Sequence, residues 1–193
     1  MKIEDYKNEH GEWVQSPRIA GKTCFTIGGK YWHAMTQRCK AGGAEQRRNP
    51  TYVGCSYAWA SFHEFIEWAR QQAGYGTGDL DKDILLKGNK VYCPELCVFV
   101  PHAVNTLLTK SDAARGEWPI GVCWHKKAEK FAAKLNINGK RKYLGYFNTS
   151  EAAFAAYKPA KEAEIKRVAA LHKDYMDPRV YDALMSYTVE AND

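Results

Sequence analysis

No run of apolar residues in the chain approaches the length of a membrane span. The opening residues are charged and polar, so no signal peptide is expected. The six cysteines (Cys24, Cys39, Cys55, Cys93, Cys97 and Cys123) include no tight Cys-x-x-Cys pair and are scattered, unlike the framework of a small secreted scaffold. Reduced thiols in a cytoplasmic setting follow from that usage. Four thiolates at positions 39, 55, 93 and 97 could hold a structural Zn²⁺, but buried free thiols fit the spacing better. Acids are scarce in one region. Between Lys110 and Lys142 nine cations (Lys110, Arg115, Lys126, Lys127, Lys130, Lys134, Lys140, Arg141 and Lys142) face three acids (Asp112, Glu117 and Glu129), and the difference of six equals the +6 net charge of the whole chain. A basic excess concentrated in this way is compatible with nucleic acid as a partner.

The 193 residues are 45% apolar and 13% aromatic, enough for one packed domain or two small ones. Residues 1–29 read as an arm, with a short strand from Lys22 to Ile27 ending at Gly28-Gly29. Tyr31 to Cys39 reads as a helix, with Trp32, Met35 and Cys39 on one stripe. A Gly-rich basic loop follows over residues 40–50; Arg38 just before it and Lys40, Arg47 and Arg48 within it could grip phosphates or simply be solvated. Trp59 to Gln72 is expected as an amphipathic helix with Trp59, Phe62, Phe65, Ile66 and Ala69 inward.

The most informative stretch runs from Gly78 to Pro101. Asp79, Asp81 and Asp83 alternate with Leu80, Lys82 and Ile84, which suggests a strand ending near the Lys87-Gly88-Asn89-Lys90 turn. Cys93-Pro94-Glu95 reads as the first turn of a helix, because proline is tolerated at the first helical position. A strand, a turn and a helix within some twenty residues can bring Asp81, Asp83, Asn89 and Glu95 together, and convergent hard oxygens suit Mg²⁺ or Mn²⁺. The bland alternative is turn chemistry for Asp and Asn and a dipole-complementing role for Glu95.

Residues 110–119 read as a linker. Ile120–Trp124, Lys130–Leu135 and Lys140–Phe147 read as three strands, with a hairpin turn at Asn136-Ile137-Asn138-Gly139. Asn148-Thr149-Ser150-Glu151 offers a capping-box-like start to a helix over Ala152–Leu171, which Pro159 should kink or divide. The exposed sheet face, mapped by strict alternation, carries Cys123, His125, Lys127, Ala132, Lys134, Arg141 and Tyr143. A last helix follows Asp177-Pro178, and the tail from Thr188 is expected to fray.

Several of these landmarks occur together in a known family. Trp32-x-x-Met35-x-x-Arg38-Cys39, Tyr52-x-Gly54-Cys55, Trp59-x-x-Phe62-x-x-Phe65 and the 78–101 stretch resemble, in that order, the ββα-metal core of phage-type HNH endonucleases, over roughly residues 30–108. Gly121-Val122 and the run Tyr143-Leu144-Gly145-x-Phe147-x-Thr149-x-Glu151-x-Ala153 resemble the AP2 DNA-binding domain. The fold these resemblances imply is α+β. A ββα-metal domain with flanking helices (30–109) is joined by the linker to a three-stranded antiparallel sheet packed on a helix (120–172), and a C-terminal helix and tail follow (173–193). The implied function is metal-dependent, homing-endonuclease-like hydrolysis of duplex DNA, encoded by a phage and acting in the cytoplasm of its host. Mg²⁺ or Mn²⁺ would sit on Asp81, Asp83 and Glu95, with Asp83 and Asn89 catalytic. DNA would lie on Arg38, Lys40, Arg47, Arg48, His125, Lys127, Lys134, Arg141 and Tyr143. The match departs from the family at one key place. No histidine lies in residues 78–101, so Asp83 falls nearest the position of the usual base, and Leu96 stands where a helix ligand is usual. His63 and His102 are the nearest imidazoles outside the motif. A non-cleaving DNA-binding protein, a regulator or an anti-host factor, is the alternative. RNA binding is a third class, weighed down by Tyr143 being the one aromatic counted on the exposed face.

Overall fold

The aromatic residues that crowd the first half of the chain form a core of their own. The protein is described here by a computed structural model that places residues 2–108 and 117–193; most of the expected linker lies outside the described residues. The chain is mixed α+β, 38% helix and 21% strand. It divides into two units, residues 1–101 with 175–180, and residues 102–174 with 181–193.

In the first unit a two-stranded hairpin, β1 (Arg18–Ile19) and β2 (Lys22–Thr23), precedes helix α1 (Ile27–Cys39). The helix starts earlier than the sequence suggests. Thr26 caps it by accepting from Gly29 N at 3.1 Å, and both glycines lie in its first turn. They are there for close approach: a Cβ on Gly28 would fall 2.1 Å from Ile66 Cδ1, and one on Gly29 would fall 2.0 Å from the Gln15 carbonyl. The lead-in is bonded into the unit. Asp5 accepts from Gly28 N at 2.8 Å and from the Tyr75 hydroxyl, and Ile3 bridges Thr26. The expected basic loop contains a short helix, α2 (Ala44–Arg48).

Next come β3 (Ser56–Tyr57) and α3 (Phe62–Ala69), the latter capped by Ser61. The acidic stretch forms β4 (Asp79–Asp81), β5 (Val91–Tyr92) and β6 (Val98–Val100). β3 pairs with β5 in parallel, and β4 pairs antiparallel with β6, with Leu80 opposite Phe99 and Asp81 opposite Val98. Met35, Phe65, Ala69 and Phe99 are fully buried, with Trp59, Leu80 and Tyr92 nearly so. Trp59 meets Phe65 edge-on at 5.2 Å, and Trp68 stacks near Phe99 at 6.0 Å. Truncating a buried ring of this kind costs about 3–5 kcal/mol.

Two expectations fail in this stretch. The strand stops at Asp81, and residues 82–88 bend and turn. The helix expected from Cys93 is a single turn, closed by Cys97 N on the Cys93 carbonyl at 2.9 Å. Val98-Phe99-Val100 then leaves as a strand, because β-branched and aromatic residues find pairing partners on Asp79–Asp81. The next helix, α4 (His102–Leu108), belongs to the second unit.

In the second unit, β7 (Val122–His125), β8 (Lys130–Ile137) and β9 (Lys140–Phe147) form an antiparallel sheet in sequential order, followed by α5 (Ser150–His172); of the last helix, α6 (Pro178–Met185), residues 178–180 belong to the first unit. Asn138 and Gly139, both at positive φ (51° and 72°), make the two-residue turn between β8 and β9. α5 packs on the sheet through Ala153, Tyr157, Ile165, Val168 and Ala169, a helical stripe against Val122, Ala133 and Leu135. It runs on through Pro159, so the proline does not divide it. The proline and Ala155, whose carbonyl loses its bond, both lie on the exposed side, so water can take the donor's place. The tail does not fray. Val189 is buried, its N–H donates to Glu162 at 3.0 Å, and Ile120 N donates to the Ala191 carbonyl at 2.9 Å. No helix among the described residues is long and apolar enough to cross a membrane.

Candidate functional site

Three of the expected site residues, Asp81, Asp83 and Asn89, lie around the end of β4. Asp81 lies beside Val98 on the paired strand, which is itself buried. Its Oδ1 accepts from the backbone N–H of Asp83 at 2.9 Å and of Ile84 at 2.8 Å, and this turns the chain out of the strand. Burial, then the neighbouring Asp83 charge, push the Asp81 carboxyl up to about 6, against the pull of the two amides and of Lys82. Asp83 is exposed.

Lys82, between them, is buried. Its Nζ donates to Asp83 Oδ2 at 2.9 Å and to the Asn89 carbonyl at 2.7 Å, and it lies 5.8 Å from the centre of the Tyr92 ring. A buried ammonium held by a carboxylate and a carbonyl fixes the direction of Asp83.

Asn89 closes the loop. Its Nδ2 donates to the Lys82 carbonyl at 2.6 Å and to the Val91 carbonyl at 2.8 Å, while Oδ1 accepts from Val91 N at 3.0 Å. The side chain expected to be catalytic is thus a staple across residues 82–91. Glu95 is exposed in the turn after β5, where its backbone carbonyl accepts from Arg179 at 3.0 Å. Among the described residues no group of three or more His, Cys, Asp and Glu side chains is placed to hold a metal ion. Asp81 and Asp83 are two hard carboxylates, which fits Mg²⁺ in its common mode of one or two carboxylates completed by water and substrate phosphate. All six cysteines are free thiols. Burial pushes the thiol of Cys39 up to about 11, and that of Cys97 further.

The basic candidates of the first unit differ in availability. Lys40 is exposed at the end of α1. Arg38 is half-buried, donating to the Tyr92 hydroxyl at 3.4 Å and lying over Tyr52 at 5.2 Å. Arg47 donates to the Gly42 carbonyl, and Arg48 pairs with Glu45 at 2.8 Å. The residue that organises this corner is Gln46, which the sequence did not single out. It is buried, donates to the carbonyls of Arg38 and Tyr52, each at 3.1 Å, and accepts from Gly42 N at 3.1 Å.

On the second unit the sheet face away from α5 carries His125, Lys130, Lys134, Arg141 and Tyr143, by register. Lys127 is not on it; it lies in the turn from 126 to 129. A register shift after Ala133 adds one extra residue, Leu144, to β9. Strict alternation from Tyr143 would send Tyr146 to the helix side. The extra residue brings it to the open face instead, where its ring meets His125 at 5.0 Å and lies near-parallel to Tyr143 at 6.2 Å. The open face therefore carries more aromatic surface than alternation predicts. A run of apparent alternation conceals such a bulge; Gly145, at φ 151°, is the local sign of it.

No protein-family model, curated protein or solved structure matches the chain.

Proposed function

We propose that the chain is a metal-dependent endonuclease that hydrolyses phosphodiester bonds in duplex DNA, built as an HNH-like unit followed by an AP2-like unit. The observation that carries this reading is the end of β4, where a half-buried carboxyl pushed up to about 6 stands two residues from an exposed one that a buried lysine orients. A carboxyl shifted by burial and a neighbouring charge is a feature of functional sites. A divalent ion at Asp81 and Asp83, when bound, supplies charge stabilisation to the scissile phosphate. The chain's own residues do the rest. Asp83, exposed and held by Lys82, is placed to accept a proton from water. Asn89 keeps the loop closed behind it. The cations of the second unit's sheet and of its 126–129 turn hold the DNA backbone; none of Lys126, Lys127, Lys130, Lys134, Lys140, Arg141 and Lys142 forms an ion pair among the described residues.

One observation favours a second reading, a non-cleaving DNA-binding protein on the same scaffold: Glu95 stands exposed and joins no metal-type group with Asp81 and Asp83. Plasmid cleavage by purified protein in Mg²⁺, Mn²⁺ and EDTA, with Asp83→Ala in parallel, decides between them. Metal-dependent nicking or linearisation that Asp83→Ala abolishes is the expected result. Plasmid that is retarded in a gel but left intact in both metals overturns the nuclease.

A further inference from the structure

The open face of the β7–β8–β9 sheet combines two features that duplex binding does not require together. The first is a run of rings. His125, Tyr146 and Tyr143 contact in series at 5.0 and 6.2 Å, and the two tyrosines are near-parallel, inclined by 27°. They are also large and open to water, with Tyr143 49% and Tyr146 47% exposed. Ala132, directly opposite Tyr146 on the central strand, is fully buried although it lies on this face. Its small side chain lets rings from the two outer strands meet above it. The second feature is charge. Lys130, Lys134 and Arg141 share the face by register, with Lys126 and Lys127 in the adjoining turn. Glu129 is the one acid between residues 118 and 150.

Two adjoining half-exposed rings offer a flat surface on which another ring can stack. In a duplex the faces of the bases are stacked on one another and closed to a protein ring. Groove reading relies on Arg or Lys and on Asn or Gln at the base edges; the face carries Arg141, Asn136, Lys130 and Lys134, but groove reading gives the adjoining rings no role. Flat rings set among unpaired cations match a strand whose bases are unstacked and whose phosphates run alongside.

We infer that the open face binds single-stranded DNA, stacking unpaired bases on Tyr143 and Tyr146 while Lys130, Lys134 and Arg141 contact the phosphates. The choice of DNA rests on the endonuclease reading; the stacking does not. On a cut or distorted duplex, the sheet would take the strand whose bases have been released.

The test is fluorescence anisotropy with the full chain in EDTA, so that cleavage plays no part. Labelled single-stranded DNA, RNA of the same sequence and the blunt DNA duplex are titrated at one salt concentration. Single-stranded DNA is expected to bind most tightly. Tyr143→Ala and Tyr146→Ala should each weaken it about ten-fold, with less than about a two-fold change on duplex, whereas Tyr143→Phe and Tyr146→Phe keep their affinity. Tyr146→Leu, which retains apolar area and strand pairing without the ring, should behave like the alanine variant and controls for folding. Lys134→Gln and Arg141→Gln, titrated over a range of salt, should weaken both DNA forms and each lower the salt slope on single strands by about 0.7, the value for one phosphate no longer neutralised. A preference for duplex, equal losses on duplex and single strand in the tyrosine-to-alanine variants, unchanged affinity in the leucine variant, or tighter binding of RNA than of DNA each overturns the proposal. Failure of the plasmid assay leaves these results readable, because no cleavage enters them.

Discussion

Replacing Asp81 by asparagine should make the protein more stable and, on the proposed function, inactive. The Asp81 carboxyl is pushed up to about 6 by burial and by Asp83, against about 3.9 for an ordinary aspartate. Between about pH 4 and pH 6 the folded chain keeps a proton that the unfolded chain has lost. The contribution of this group to stability is therefore greatest below about pH 4, falls as pH rises through 6, and stays low above. Two units of difference correspond to about 3 kcal/mol; partial exposure of the side chain reduces this to about 2 kcal/mol. The Asp81→Asn amide keeps an oxygen for the N–H groups of Asp83 and Ile84, now at 2.9 and 2.8 Å from Oδ1, and removes the charge. At pH 8 the variant should melt about 4–8 °C above the parent, and the gap should close near pH 4. Differential scanning calorimetry at the two pH values in EDTA measures both. A variant that melts below the parent at pH 8, or a gap independent of pH, would show that the Asp81 charge is not held at a cost, and the argument from a strained carboxylate would fail.

Gly121→Ala should destabilise the second unit by about 3 kcal/mol, combining a positive φ with overpacking: φ is 77° and a Cβ would meet the Tyr157 ring at 2.2 Å. Thermal melting followed by near-ultraviolet circular dichroism reads the loss, and an unchanged midpoint would refute the close approach. Asn89→Ala should cost about 2 kcal/mol, because one side chain makes three bonds to Lys82 and Val91. Hydrogen exchange should rise across residues 82–91 while α3 keeps its protection; uniform exchange throughout the unit would contradict a local staple.

What was legible in the sequence was what depends on near neighbours. The stripe of Phe62, Phe65 and Ala69 marked a helix because helical spacing is local, although Trp59 joins the core from outside α3. A turn was legible in Asn136-Ile137-Asn138-Gly139, though only Asn138 and Gly139 form it, because few other pairs accept two positive φ values, and Asn136 and Ile137 extend β8. The three antiparallel strands followed by a helix were readable for the same reason. At Cys93-Pro94-Glu95 local preference was silent, since proline at a first helical position opens a lone turn as readily as a helix. The decision came from Val98–Val100, which pairs with residues some twenty positions upstream. Gln46 left no trace, because a buried amide bonding two carbonyls looks in sequence like any polar residue of a basic loop.

The bulge on β9 bears most on function. A strand's face is assigned by counting, so a single inserted residue reverses every assignment beyond it. Counting from Tyr143 without the insertion leaves one aromatic residue on the open sheet face, and on that count a stacking surface carries little weight. With Leu144 as the extra residue, Tyr146 lies beside Tyr143, and His125 reaches it across the strand that holds Ala132. The cations of that face were visible in the composition, and they fit any nucleic acid. On the proposal above, the rings would separate one form of nucleic acid from another, because aromatic side chains stack on unpaired bases and offer little to paired ones.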